Sequence, residues 1–136
     1  MDADAVRTEV ADVVIIATGS YPRMDGVQAA APSVKVEGID LPHVCSTHEV
    51  LTASHPTAGK TALVLDDVGH LEAIAAVDTL MARGFAVTLA TRHAMMTPYS
   101  TQRTTPAMER FNRGDFTLMT LPCSKRSVQA KAWCGR

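Results

Sequence analysis

Aromatic residues make up only 4% of this sequence, so any core has to be filled by Ala, Val, Leu, Ile and Met. A cysteine framework is also missing. The three cysteines, Cys45, Cys123 and Cys134, form no CxxC pair and have no histidine at zinc-like spacing, and an odd count speaks against the disulfide scaffold of a secreted domain. A reducing, cytoplasmic compartment is the expectation. No apolar run approaches the roughly 18 residues that a membrane span needs, and the acidic start Met1-Asp2-Ala3-Asp4 carries no basic leader region. Charge of one sign is lacking too. The 13 basic and 14 acidic residues are mixed along the chain and leave a net charge of -1, which gives no electrostatic footprint for nucleic acid or for an anionic membrane. No repeat of fixed period and no low-complexity tract is found.

What is present is a chain of 136 residues, 46% hydrophobic and 20% charged, which suits a globular protein with one modest core. The first apolar element is Ala11-Asp12-Val13-Val14-Ile15-Ile16-Ala17, a β-branched run closed by Thr18-Gly19-Ser20. Apolar residues at both parities predict a parallel strand covered on both faces. From there to Gly59, Pro22, Pro32, Pro42 and Pro56 with Gly26 and Gly38 interrupt every apolar stretch, so this part reads as connecting chain.

The pattern changes at Lys60. Thr61 to Leu65 predicts a second buried strand, and Leu71 to Arg83 a helix in which Leu71, Ile74, Ala75, Val77, Leu80 and Met81 recur at three- and four-residue steps before Gly84. Phe85 to Ala90 predicts a third strand. A further helix is expected from about Thr105 to Asn112, with Pro106 in its first turn, and a fourth strand from Asp115 to Leu121. Strand, helix and strand joined by short connections form a βαβ unit with parallel strands, here extended to βαβαβ. The expected class is therefore α/β, a doubly wound, Rossmann-like parallel sheet of three or four strands. No element is assigned after Leu121.

Chemistry in such a sheet gathers at the carboxyl ends of the strands. Two places qualify. Thr18 and Gly19 end the first strand with small residues that let backbone approach a ligand, although Gly19 could equally serve only the turn. The stretch Asp66-Asp67-Val68-Gly69-His70 stands between strand and helix, where a dinucleotide fold keeps its phosphate loop. The glycines of G-x-G-x-x-G are missing, however: alignment on the element boundaries puts Leu65, Asp67 and His70 at those positions. Close approach of a pyrophosphate is hindered there, and the two carboxylates would repel it. Capping of the free N–H groups at the start of the helix is the expected role of these acids. After the next strand stand Thr91-Arg92-His93, with no acid for ribose hydroxyls; Arg92 could meet a 2′-phosphate or lie solvated at the strand end. The five scattered histidines suggest no metal site, Cys45 reads as an incidental or buried thiol, and the methionines read as core filling.

The segment from Ala11 to Pro22 resembles the D-x-V-(V/I)-(V/I)-A-T-G-(A/S)-x-P stretch that closes the flavin domain in flavoproteins with two dinucleotide folds. Gly59 to Leu89, with Leu65 to His70 in the loop and Ala82 to Thr88 leading into the next strand, resembles the carboxyl-terminal region of the NADH:flavin oxidoreductases related to trimethylamine dehydrogenase and 2,4-dienoyl-CoA reductase. In the amine-dehydrogenase branch of that family the glycine loop is likewise replaced by an acidic one. The resemblance covers about residues 10 to 121. It implies a parent enzyme with a (β/α)8 barrel holding FMN, a 4Fe-4S cluster, and two nucleotide-binding domains for FAD, ADP or NAD(P)H. The barrel, the cysteine cluster and the first glycine loop of the flavin domain are not in this sequence.

By this resemblance Thr18 and Gly19 would approach FAD, and Asp66, Asp67, Gly69 and His70 would face ADP or a nicotinamide nucleotide. The implied organisation is a terminal flavin-domain strand in 1–25, a connecting segment in 26–59, a degenerate nucleotide-binding half-domain in 60–121 and a tail in 122–136. The implied function is that of a non-catalytic fragment of a flavin-dependent oxidoreductase, or, from another class, a non-catalytic ADP-binding or interaction domain. The expected partners are a nucleotide cofactor and either the missing barrel domain or a second copy of the chain.

Overall fold

A computed structural model describes residues 3–9, 11–17, 19–29, 31–53, 59–98 and 101–120. The elements are α1 (Ala3–Thr8), α2 (Thr47–Thr52), β1 (Thr61–Asp66), α3 (Leu71–Ala82), β2 (Ala86–Thr91), α4 (Thr101–Phe111) and β3 (Phe116–Thr120). The strands form one parallel sheet in the order β1-β2-β3, with Thr61 facing Ala86, Asp66 facing Thr91 and Val87 facing Phe116. The chain is thus an α/β protein with an open, three-stranded parallel sheet, and the expected βαβαβ order is present.

The core follows from the two periodicities. Val64 of β1 and Val87 and Leu89 of β2 point to one side of the sheet, where Ala73, Ile74, Ala76, Val77 and Leu80 of α3 and Ala107 and Phe111 of α4 close over them in one cluster. Val77, Leu89 and Phe111 are fully buried at 0% exposure. Both helices share this cluster, so they lie on one face of the sheet. This corrects the doubly wound expectation: among the described residues no helix covers the second face, where Leu63, Leu65 and Met119 remain about half exposed. Two successive crossovers of the same hand, moving in one direction across the sheet, place their helices on one side.

The boundaries moved most at α4, which begins at Thr101 and contains Pro106 in its interior rather than in the first turn. The ring removes one backbone donor from the helix, which costs stability. Ala107 and Phe111, at 1% and 0% exposure, anchor the following turn in the core. Arg110 donates to both carboxylate oxygens of Asp78 on α3 at 3.0 and 2.8 Å, and this contact raises its pKa still further. Near the end of α4, Phe111 and Phe116 lie 4.9 Å apart between ring centres and seal the turn into β3.

Residues 11–17 are the second correction. The predicted strand is not formed: no residue of this segment belongs to a strand or bridge, and Val13, Val14, Ile15 and Ile16 are 76%, 54%, 86% and 82% exposed. Strand structure depends on a neighbour that accepts the backbone hydrogen bonds, and no described residue of this chain fills that place. The connecting segment, in turn, holds more structure than expected. Gly26, at φ +77, accepts from Val36 N at 2.9 Å beside a short antiparallel bridge between Val27 and Lys35. Ser46 begins α2 with a reciprocal capping box: its hydroxyl accepts from Glu49 N at 3.2 Å, while the Glu49 carboxylate accepts from Ser46 N at 2.7 Å. The buried Val50 of α2 joins the core, and its carbonyl accepts from the Arg83 guanidinium at 3.0 Å, which fixes α2 against the end of α3. The tail assigned to 122–136 lies outside the described residues.

Candidate functional site

The carboxyl ends of β1 and β2 bring together most of the residues singled out in the sequence. Asp66 closes β1 and Thr91 closes β2, opposite one another in the register. Asp66 is 7% exposed, and its carboxylate is saturated from inside the protein. Oδ1 accepts from Gly69 N at 2.7 Å and from Val68 N at 3.2 Å, and Oδ2 accepts from the Thr91 hydroxyl at 3.0 Å. Thr91, fully buried, in turn accepts from His93 N at 3.3 Å, and the buried Thr97 hydroxyl donates to the Gly69 carbonyl at 2.6 Å. The end of β1 and the loop after it are therefore stitched to the end of β2 and its loop through three side chains, Asp66, Thr91 and Thr97.

Gly69 is required by this arrangement. Its φ is +77, and a Cβ there would come within 2.7 Å of Pro98 Cδ and 2.8 Å of His93 Nε2. The same crowding leaves His93 Nε2 buried without a hydrogen-bond partner. His70 serves as the N-cap residue of α3 but makes no side-chain cap; its Nδ1 stands 3.8 Å from Glu72 Oε2 at the surface.

Asp67 points the other way, towards the connecting segment. Its carboxylate accepts from Ala29 N and pairs with Arg92 Nε at 3.3 Å, while the same Nε donates to the Asp67 carbonyl at 2.6 Å. Arg92 is thus turned back onto the loop. The capping expectation changes in detail: Asp66 caps the loop N–H groups of Val68 and Gly69, ahead of the helix, rather than the first turn of α3 itself.

Thr18 lies outside the described residues. Gly19 has φ +76 and is exposed, and a Cβ at that position would meet no atom within 4 Å. Cys45 is half-buried, and its thiol pKa is raised, first by burial and then by the negative charge of Glu49. Among the described residues no group of three or more His, Cys, Asp or Glu side chains could hold a metal ion, and no helix is long and apolar enough to cross a membrane.

Sequence reasoning found the loop but not what fills it. Thr97 and Ala29 were missed, since neither carries a local signal and both reach the site only through the fold. The capping box at Ser46 and Glu49 was legible, as S-x-x-E ahead of an apolar pair, and would have revealed α2.

A phosphate or pyrophosphate at this edge needs free backbone N–H groups, and here those of Val68 and Gly69 are held by the protein's own carboxylate. In this arrangement Arg92 is likewise engaged from within, by Asp67. The arrangement defines an α/β protein in which the carboxyl edge of β1 and β2 is closed by internal hydrogen bonds. No protein-family model, curated protein or solved structure matches the chain.

Proposed function

We propose that this chain is a non-catalytic part of a flavin-dependent oxidoreductase, a nucleotide-binding-type half-domain that keeps the fold of the FAD or NAD(P) region while carrying none of the reaction. The reading is supported by one observation above the others: the Asp66-Asp67-Val68-Gly69-His70 loop stands at the carboxyl edge of a parallel sheet, between the first strand and first helix of the βαβ unit, where nucleotide phosphates bind in proteins of this architecture. The resemblance of residues 10–121 to the NADH:flavin oxidoreductases supplies the flavin part of the proposal. Its acidic loop agrees with the acidic replacement in the amine-dehydrogenase branch.

A second reading has its own observation. The carboxylate of Asp66 takes the donors that a phosphate would use, which favours an interaction domain that has given up its nucleotide. A thermal-shift and absorbance survey with FAD, FMN, ADP, NADH and NADPH separates the two, because a ligand that binds only the native state raises its melting temperature. An upward shift with ADP or a nicotinamide nucleotide supports the first reading. A folded sample that shifts with none of the five favours the second. Asp67→Gly adds a graded test, since it removes one repelling carboxylate and restores a glycine: affinity should rise if the loop is a degraded phosphate site, and an unchanged response argues against that origin.

A further inference from the structure

Two apolar surfaces of this chain are left open at once. One is the sheet face opposite the helices, where the register aligns Leu65 with Ala90 and Met119, and Leu63 with Thr88 and Thr117. Leu63, Leu65 and Met119 are 54%, 52% and 47% exposed there, around a buried Ala90 at 4% on the central strand. The other is Val13 to Ile16, four consecutive β-branched residues between 54% and 86% exposed, which pair with no strand among the described residues. Within one copy neither surface covers the other. We propose that they form one interface between two copies of this chain: residues 11–17 of each copy pair along the outer edge of the other copy's β1, and the two widened sheets stack through their bare faces about a twofold axis.

The chemistry of the two parts is complementary. The outer side of β1 presents unpaired backbone donors and acceptors among the described residues, and an added strand satisfies them. A strand apolar at both parities fits beside β1 in particular. One set of alternate residues extends the helix-covered core, and the other continues the row of Leu63 and Leu65 on the bare face. Placed about a twofold axis, the strand-to-edge contact is made twice and reciprocally and the stacked faces meet their own copies, so the assembly closes as a dimer and leaves no free end to extend.

The area is sufficient. At about 100 Å² of apolar surface per full Val, Ile, Leu or Met side chain, the seven residues leave roughly 450 Å² open per copy, or roughly 900 Å² in a pair. Interfaces are about 60% apolar, so this corresponds to roughly 1,500 Å² in all. That lies within the ~1,200–2,000 Å² of stable specific complexes. The proposal does not depend on the functional reading above.

Size-exclusion chromatography with light scattering on the full chain is the test, with hydrogen exchange of residues 11–17 beside it. A dimer of defined mass is expected, with slowed exchange in residues 11–17. Ile15→Lys and Leu65→Lys should each give a monomer with unchanged far-ultraviolet circular dichroism, since both side chains are exposed within a single copy and their loss leaves its core intact. Met119→Lys on β3 provides a third, independent variant of the same face. A wild-type monomer across the accessible concentration range, open-ended oligomers, or a dimer that survives all three substitutions would overturn the proposal.

Discussion

The residues from Lys60 to Thr120 and those from Ala3 to Ala53 contain similar apolar side chains and use them differently. In the first region Val77, Val87 and Leu89 are exposed by 2% or less, each enclosed by the sheet on one side and a helix on the other. In the second, Val13, Ile15 and Ile16 are exposed by 76% or more, while Val50 enters the shared core and Cys45 packs against it. The two regions also differ in what secures their polar contacts. The loops at the carboxyl edge are tied by buried groups, such as Asp66 to Thr91, and α1 by the Arg7 to Asp4 pair at 2.7 Å, which stands in solvent. Surface pairs of that kind contribute little. The lesson is that β-branched content creates a demand for burial, and only a neighbouring element meets it.

That contrast can be broken at its strong end first. Leu89→Ala empties a fully enclosed site in the central strand and should cost about 3 kcal/mol, measured by urea unfolding. A loss below about 1 kcal/mol would mean that the βαβαβ core is loosely packed. Next comes the polar edge. Gly69→Ala forces a Cβ against Pro98 and His93 at positive φ and should cost about 2 kcal/mol. A neutral result would show that the two loops are not held as described.

Smaller effects sharpen the comparison from the other side. Ser46→Ala removes the cap of α2 and should cost about 1 kcal/mol, with the loss read as faster hydrogen exchange in residues 47–52. Ile15→Ser, measured on a sample dilute enough to be monomeric, should change stability by less than about 0.5 kcal/mol. A large loss would place Ile15 in a core. The smallest effect concerns Cys45. Its raised thiol pKa means that it should alkylate more slowly than a free cysteine at mildly alkaline pH. The sign for stability follows: a folded-state pKa above the unfolded one gives a contribution fully present below the unfolded thiol pKa and lost as pH rises through the folded value. Alkylation as fast as that of an unstructured peptide would contradict the half-buried position.

Much of the packed half was legible because its signals are local. The apolar spacing from Leu71 to Met81, with Gly84 after it, marked α3 to within a residue, and the short β-branched runs marked β1 and β2. Asp66 at the end of β1, and Asp67, Gly69 and His70 between β1 and α3, stand where the sequence located them for the same reason: element boundaries locate a loop without any knowledge of its contacts. The internal closure of that loop was not legible, since Asp66 Oδ2 meets Thr91 twenty-five residues later and the carboxylate of Asp67 meets Ala29 thirty-eight residues earlier.

The amino-acid sequence by itself determined the α/β class, the order of strands and helices beyond Lys60, and the absence of the glycines that a phosphate loop uses. Those follow from periodicity, turn residues and steric size, which act over a few residues at a time. Only the tertiary structure decided that both helices cover one face, that Asp66 consumes the N–H groups of Val68 and Gly69, and that residues 11–17 form no strand. Each of these depends on which distant segment supplies the other half of a contact. A run of apolar residues states a preference for burial, while the position of its partner determines whether that preference is met.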